Sequence, residues 1–291
     1  MKAPAFDYVR PRSLPEALAL LRQHGDDAKV IAGGQSLVPA LNLRLLAPKV
    51  LVDIGGLSEL KGIAVAGGRV RIGALTRHVD LMRSAEIATH LPLLAQAIPH
   101  VAHAAVRNRG TIGGNLAHAD PASELPACAL ALGAEMIVAG LDGERRIPAD
   151  AFFTGIYETA LAPDEILVAV EAPAMRPDGA SAFLELARRS GDYALVGVAA
   201  QGTLRDGTFA ELRLAFLSMG ARPTLASGGA AALVGRAVTD ATIADAQAAL
   251  AIDLSPLDDL QATAATRLHL ARVLLARAVG ELLPERTEVA A

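Results

Sequence analysis

The sequence predicts an α+β fold of three packed units, from its length, its hydrophobic content and the alternation of helical and extended segments. The chain has 291 residues, of which 52% are hydrophobic and 20% are charged. Single hydrophobic cores stop growing at about 250–300 residues, so a chain of this length is expected to divide. Turn-forming segments near residues 57 and 176 predict boundaries that separate units at 1–57, 58–176 and 177–291.

The first unit is predicted to be a small β-α-β-α-β arrangement. Ser13 and Glu16 have the spacing of a capping box, which begins a helix that runs to about Gln23. The later elements of this unit are a strand at 29–31, a helix from Ser36 and a strand at 49–54. Each of these two strands leads into a pair of glycines, which is typical of a buried strand entering a tight turn.

The middle unit is predicted to combine a new sheet with several helices. Gly67 and Gly68 separate two short extended segments, and this pattern indicates a β-hairpin. From Thr76 to about Ala105 the pattern is helical, with interruptions at two prolines. The remaining predicted elements are a helix at 122–132 and strands at 136–138 and 166–170.

The last unit is predicted to contain a small antiparallel sheet followed by a helix. Its strand candidates lie at 182–187, 194–204 and 211–218. The turn Arg205-Asp206-Gly207-Thr208 joins the last two as a hairpin. From Ser255, apolar residues recur at spacings of three and four between Leu257 and Leu282, which predicts one long helix with Pro256 in its first turn.

Charge and hydropathy argue against several classes of function. A net charge of −4 with 3% aromatic residues offers neither a basic surface nor stacking platforms for nucleic acid. The longest stretch without charged residues, 89–106, contains three histidines and two prolines, so no transmembrane helix is expected. The amino terminus has no apolar export signal, and a cytoplasmic location is the expectation.

The chain also offers no obvious metal site or acid–base pair of its own. Cys128 is the single cysteine and lies in an apolar run, so we expect a buried thiol that forms neither a disulfide nor a metal centre. His100, His103 and His118 lack a carboxylate or thiol at matching spacing, and no metal is predicted. No paired carboxylates or Ser–His arrangement has a catalytic spacing, so no catalytic residue is predicted.

Two glycine turns are the main candidates for a binding site. They are Ala32-Gly33-Gly34-Gln35-Ser36 and Thr111-Ile112-Gly113-Gly114-Asn115. Glycine lets backbone N–H groups approach an anion with no Cβ in the way, so each turn can bind phosphate and the pair suits a pyrophosphate. The opposing interpretation is that each Gly-Gly pair is only a tight turn, the commonest meaning of this pattern. Fingerprints of a Rossmann nucleotide site, a P-loop and a nucleophile elbow are absent from the sequence.

Both turns, with their flanking residues, resemble the flavin-binding signatures of the FAD-binding medium subunit of molybdenum hydroxylases. This family includes aerobic carbon monoxide dehydrogenase and the xanthine dehydrogenases. The first signature continues through Leu37-Val38-Pro39, and the second spans Arg107 to Pro121. Further matching segments, which extend the resemblance over essentially the whole chain, lie at 153–157, 163–167, 189–194 and 267–270.

The resemblance implies a two-subdomain FAD-binding domain of the PCMH type and a C-terminal α+β domain. FAD would lie between the first two subdomains, with its pyrophosphate held by the backbone of Ala32–Ser36 and Thr111–Asn115. The other implied contacts are Val30, Ile31 and Leu37 beside the first turn, Glu124 where the family more often has Asp, the apolar Leu167, and Tyr193 covering the flavin ring. Purely structural roles stay open for three of them: a helix start for Glu124, a core position for Leu167 and the start of a core strand for Tyr193.

The resemblance also implies partners and a role in electron transfer. A large subunit would carry a molybdenum cofactor and a small subunit two [2Fe–2S] clusters, assembled as a dimer of heterotrimers in the cytoplasm or at the inner face of the membrane. The present chain would take electrons from the clusters and pass them to an external acceptor. Two alternatives remain open, a stand-alone FAD oxidoreductase of the vanillyl-alcohol-oxidase-like fold and an assembly domain without flavin.

Overall fold

Three main sheets organise the chain in a computed structural model that describes residues 2–283. Residues 284–291, the end of the predicted third unit, lie outside this range. No helix within the described range is both long and apolar enough to cross a membrane.

The first sheet has three parallel strands in the order β1-β3-β2. Its elements are β1 Asp7–Val9, α1 Leu14–His24, β2 Ala28–Ile31, α2 Leu37–Asn42 and β3 Val50–Asp53. Ser13 begins the first helix as predicted, because its hydroxyl accepts the Glu16 N–H at 3.3 Å. The β-α-β-α-β prediction is confirmed, and the strand for which the sequence specified no segment is β1.

The second sheet has five antiparallel strands in the order β4-β5-β10-β6-β7. Its strands and the helices inserted between them are β4 Ile63–Ala66, β5 Arg69–Gly73, α3 His78–Arg83, α4 Ala85–His90, α5 Pro92–Ala97, α6 Ala104–Arg107, α7 Ile112–His118, α8 Glu124–Ala131, β6 Glu135–Gly140, β7 Gly143–Pro148, α9 Ala149–Phe152 and β10 Ile166–Pro173. Between α9 and β10, the short strands β8 Phe153–Gly155 and β9 Glu158–Thr159 pair with each other as a separate two-stranded sheet. The predicted hairpin and the strands at 136–138 and 166–170 are confirmed. The sequence interpretation missed β7, whose residues are mostly exposed and charged and so lack an apolar run.

The third sheet is antiparallel, in the order β11-β12-β13-β14, and three helices follow it in the chain. The elements are β11 Gly179–Leu186, β12 Val196–Arg205, β13 Thr208–Leu217, β14 Thr224–Leu225, α10 Ser227–Ala231, α11 Asp240–Asp253 and α12 Ala264–Leu282. The predicted hairpin between β12 and β13 is confirmed, with Arg205 opposite Thr208. The helix α11 was not predicted from the sequence.

The start of the last helix was predicted wrongly. The helix α12 begins at Ala264, where the Thr263 hydroxyl accepts the Thr266 N–H at 3.1 Å, and not at Ser255. Leu257 is 65% exposed and Leu260 is fully exposed, so their spacing belongs to no buried helical face. The acidic turn before the helix competes with it, because Asp259 accepts the N–H groups of the two residues that follow Leu260.

Period-two alternation lets the middle sheet serve two cores at once. On β6, Ile137 and Ala139 pack against the first unit, whereas Met136 and Val138 face the helices on the other side. That helical layer, which includes α7 and α8, also packs on the third sheet, mainly through α8. The far face of this sheet is covered by α10 and α12, and α11 packs against these two helices. The turns that follow β2 and precede α7 are thereby held between the first and second sheets.

Candidate functional site

The two glycine turns lie directly against each other. A Cβ on Gly33 would be 2.3 Å from the carbonyl oxygen of Arg109 and 2.9 Å from the Cα of Gly110. A Cβ on Gly114 would be 3.8 Å from the Cβ of Ala32. The fold therefore brings together two segments that are almost eighty residues apart, as the pyrophosphate hypothesis requires.

The first turn presents backbone donors that the protein itself does not use. Among the described residues, no acceptor is within hydrogen-bonding geometry of the N–H groups of Gly33, Gly34, Gln35 and Ser36. Gly34 has a φ of +72°, in the region that favours glycine, and the Gln35 amide donates back to the Gly33 carbonyl at 2.9 Å. This turn has the free N–H groups that an anion needs.

The second turn uses its own donors within the protein. Ile112 and Gly113 donate to the carbonyls of Thr76 and Ala74 at 3.0 and 2.8 Å, and Gly114 donates to the Thr111 hydroxyl at 3.1 Å. Asn115 N–H is bonded to the Thr111 carbonyl at 3.0 Å. The side-chain oxygens of this segment are also used, because Thr111 Oγ1 accepts the Gly114 N–H and Asn115 Oδ1 accepts the Ser123 hydroxyl at 2.9 Å. The segment therefore forms a rigid wall at the start of α7.

A charged cleft lies where the two turns meet. This open cleft has a volume of about 500 Å³ and is lined by Ala32, Gly33 and Thr111 of the turns, with Leu75 and Gly55. Its charged lining consists of Arg10, Lys61, Arg77, Arg109 and Asp53. Four cations against one carboxylate give the cleft a positive field, which attracts an anionic ligand. The sequence interpretation missed Arg10, Lys61 and Arg77, because they are scattered along the chain and no motif contains them.

The other end of α7 carries aromatic side chains. The rings of His118 and Tyr157 stack with centroids 4.8 Å apart, and the Tyr157 hydroxyl donates to the buried carboxylate of Asp120 at 3.5 Å. Tyr193 is 63% exposed in the loop before β12, so it does not begin a core strand. Partial burial and the charge of Asp120 raise the pKa of Tyr193 to about 12.

The remaining predicted contacts occupy different environments. Glu124 is the first residue of α8 and is only 7% exposed, and its burial, with nearby Glu185, raises its pKa to about 7. Leu167 is buried on β10 in the core that faces the helices. Val30, Ile31 and Leu37 flank the first turn and are half-buried.

The histidines and the cysteine singled out from the sequence have protein surroundings of their own. Within residues 2–283, no group of three or more His, Cys, Asp and Glu side chains is arranged to hold a metal ion. His100 pairs with Glu185 at 3.2 Å and packs on the ring of Phe183. Cys128 is fully buried, which raises the pKa of its thiol.

Comparison with known proteins covers nearly the whole chain. Residues 4–175 match the family model "FAD binding domain in molybdopterin dehydrogenase", and residues 181–282 match "CO dehydrogenase flavoprotein C-terminal domain". The chain is 40% identical to the carbon monoxide dehydrogenase medium chain of Hydrogenophaga pseudoflava, over 96% of this chain and 97% of that one. It is also 40% identical to the 6-hydroxypseudooxynicotine dehydrogenase complex subunit alpha of Paenarthrobacter nicotinovorans, over 97% and 96% of the two chains.

Solved structures show the same fold. The carbon monoxide dehydrogenase structure from Hydrogenophaga pseudoflava superposes with a TM-score of 0.95 at 39% identity and covers 97% of this chain and 98% of that chain. The quinoline 2-oxidoreductase structure from Pseudomonas putida 86 gives a TM-score of 0.92 at 39% identity, with the same coverage. The expected fold class, mixed helices and sheets with a flavin-binding part and a C-terminal part, is confirmed.

Proposed function

Because this chain belongs to the FAD-binding medium subunits of the molybdenum hydroxylase family, we propose that it takes electrons from [2Fe–2S] clusters of a small partner subunit and passes them to an external acceptor. The chain is thus the flavoprotein subunit of an oxidoreductase. The substrate would be oxidised at a molybdenum cofactor in a large partner subunit. The names of its relatives, a medium chain and a subunit of a dehydrogenase complex, support such partners.

The observation that carries the proposal is the cleft between the two glycine turns. The first turn has four N–H groups without a protein acceptor, and its Gly33 lines the same cleft as the cations Arg10, Lys61, Arg77 and Arg109. Backbone donors and cations together suit the two negative charges of a pyrophosphate. When bound, FAD supplies the redox chemistry, and the protein supplies its position and its electrostatic environment.

Different residues of the chain hold different parts of the cofactor in this proposal. The first turn and the cations bind the phosphates, the second turn fixes the wall against which they rest, and α7 leads from the cleft to the aromatic end. At a rise of about 1.5 Å per residue, seven residues of helix cover about 10 Å. We propose that Tyr193 covers the flavin ring beyond this end of α7, and that Glu124 and Leu167 contact the same part of the cofactor.

We further propose that the assembly is a dimer of heterotrimers, located in the cytoplasm or at the inner face of the membrane. Co-expression of the chain with large and small partner subunits, followed by identification of the flavin released on denaturation, tests the central proposal. We expect FAD to co-purify with a complex that contains molybdenum and iron–sulfur centres.

The same preparation separates the alternatives. Oxidation of a substrate by the isolated chain would favour a stand-alone FAD oxidoreductase. A chain that purifies without flavin and does not bind added FAD would leave the two glycine segments as structural turns and would contradict the proposal.

A further inference from the structure

Strained backbone is concentrated around the segment that carries Tyr193. Six non-glycine residues of the described chain have a positive φ between 45° and 61°. Four of them lie near this segment: Ala102, Ala119, Tyr157 and Ser218. Ala102 and Ser218 contact the segment itself, and Tyr157 is hydrogen-bonded to Ala119. Such conformations are costly and persist only where the surroundings enforce them, and they cluster at functional sites.

Each strained residue makes a specific contact there. The Tyr157 N–H donates to the Ala119 carbonyl at 3.3 Å. The Ser218 N–H donates to the Pro121 carbonyl at 2.8 Å, and its hydroxyl donates to the carbonyl of Ala194, next to Tyr193, at 2.7 Å. A Cβ on Gly191 would lie 2.9 Å from the Ala102 carbonyl oxygen. The loops at Ala102 and Ser218 therefore contact the segment 191–194, and Ser218 also links this segment to Pro121.

Asp120 is buried, and its two neighbours in the chain, Ala119 and Pro121, accept the N–H groups of Tyr157 and Ser218. One carboxylate oxygen accepts the Ala122 N–H at 2.9 Å, which fixes the orientation of the group. The other accepts the Tyr157 hydroxyl, and the negative charge also acts on Tyr193. Tyr157 is 56% exposed, yet its ring is held by the stacking on His118 and its hydroxyl by Asp120.

We propose that Asp120 and Tyr157 are positioning residues, which together fix the ring of Tyr193 in the orientation that covers the flavin. The inference rests on the proposed function in that it takes FAD to bind along α7. An exposed tyrosine samples several rotamers, and ordering its side chain when the cofactor binds would cost entropy. If Asp120 and the rigid loops around it order the Tyr193 side chain before FAD binds, this entropy is already lost in the free protein and does not weaken binding.

Flavin fluorescence of the FAD-loaded chain tests the proposal, because an aromatic ring against the flavin quenches its emission. We expect Asp120→Asn and Tyr157→Phe to leave FAD occupancy unchanged and to raise fluorescence per bound FAD. The increase should reach up to roughly fivefold, the equilibrium factor of one net hydrogen bond. Adding Asp120→Asn to Tyr193→Ala should cause no further increase, since the two residues act through one ring.

A matched control is Asp192→Asn, which removes a carboxylate adjacent in sequence to Tyr193 that pairs instead with Arg189. It should leave the fluorescence unchanged. Additive effects of Asp120→Asn and Tyr193→Ala, or an unchanged fluorescence in Tyr157→Phe, would overturn the proposal. Tyr157→Phe removes one hydroxyl from an exposed side chain, so it tests the idea even if Asp120→Asn fails to fold.

A second measurement needs no flavin and separates this inference from the proposed function. The chain has no tryptophan and three tyrosines, so in a Tyr8→Phe background only Tyr157 and Tyr193 titrate in the ultraviolet. We expect Asp120→Asn to lower both tyrosine midpoints, and unchanged midpoints would refute the link. Failure to bind FAD, with lowered midpoints, would contradict the proposed function and leave the Asp120 link intact.

Discussion

At the scale of single residues, the glycines of the two turns are needed for a reason that the sequence did not reveal. The pattern suggested that Gly33 and Gly113 make room for a ligand. In the structure they make room for the protein itself, because a Cβ on Gly113 would lie 2.4 Å from that of Ala74, and Gly33 meets Arg109. Gly-Gly motifs signal close approach, but a sequence does not say which group approaches.

Glu124 and His78 are expected to give the stability of this protein two opposing pH dependences. Burial raises the pKa of Glu124 to about 7, so its folded state binds a proton that the unfolded chain releases above pH 4.5. Stability from this group is therefore full below that pH and falls until the pH passes about 7. Burial and the charge of Arg107 lower the pKa of His78 to about 4, so its contribution is full above 6.5 and falls as the pH drops toward 4.

Substitution of Glu124 should leave the pH dependence of unfolding free energy that comes from His78. Glu124→Gln is expected to raise the free energy of unfolding at pH 8 by up to about 3 kcal/mol and to have little effect at pH 4.5. Urea unfolding at both pH values measures this, and His78→Asn serves as the reference of opposite sign. Equal effects of Glu124→Gln at the two pH values would show that the pKa of Glu124 does not differ between the folded and unfolded states.

The cations of the cleft should determine how tightly FAD binds. Arg77→Gln and Lys61→Gln each remove a charge that lines the cleft, and a hydrogen bond to a charged group contributes about 1.5–3 kcal/mol. We expect the FAD dissociation constant to rise roughly tenfold or more in each variant. Titration by flavin fluorescence provides the measurement. Arg83→Gln, an exposed arginine at the end of α3, should bind FAD like the wild type, and equal losses in all three variants would indicate only a net-charge effect.

At the scale of elements, the sequence was informative where hydrophobic periodicity and turn chemistry agreed. Ser13 capped α1, and Gly67–Gly68 and Asp206–Gly207 closed hairpins, because each turn type leaves a local signature. The helix α11 was missed since it is rich in alanine and has little apolar contrast between its faces. The strand β7 was missed because its residues are charged and pair across the sheet surface, as Arg146 does with Glu135.

The corrected start of α12 makes a direct prediction about leucines. Leu275 is buried against the third sheet, so Leu275→Ala should destabilise the fold by about 2–5 kcal/mol. Leu260→Ala should change stability by no more than about 0.5 kcal/mol, because its side chain is fully exposed. Denaturant midpoints of the two variants check this. A large loss in Leu260→Ala would mean that the helix begins near Ser255 after all.

At the scale of the whole molecule, the cleft is a product of topology rather than of any motif. Arg10, Gly33 and Asp53 belong to the first sheet and its connections, whereas Lys61, Arg77 and Arg109 belong to the chain around the second sheet. The sequence could locate both glycine turns, and the resemblance to flavoproteins could pair them. It could not find the cations, because their convergence depends on how the two sheets pack. The boundaries near residues 57 and 176 stay predictions, although each falls between two sheets.

The cleft is lined by residues around both the first and the second sheet, so bound FAD should contact both and stabilise their packing against each other. At a hundredfold excess over its dissociation constant, a ligand that binds only the folded state stabilises it by about 2.7 kcal/mol. We expect hydrogen exchange of the backbone to slow on FAD addition in two distant segments, 33–36 and 109–116, together. The first should slow most, because its N–H groups have no protein acceptor. The internal control is the pair of helices α11 and α12, which belong to the core on the far side of the third sheet. Those of their amides that exchange by local opening should exchange at the same rate with and without FAD. Protection confined to one of the two segments would mean that the cofactor binds to one wall alone, and the cleft between the turns would then not be the FAD site.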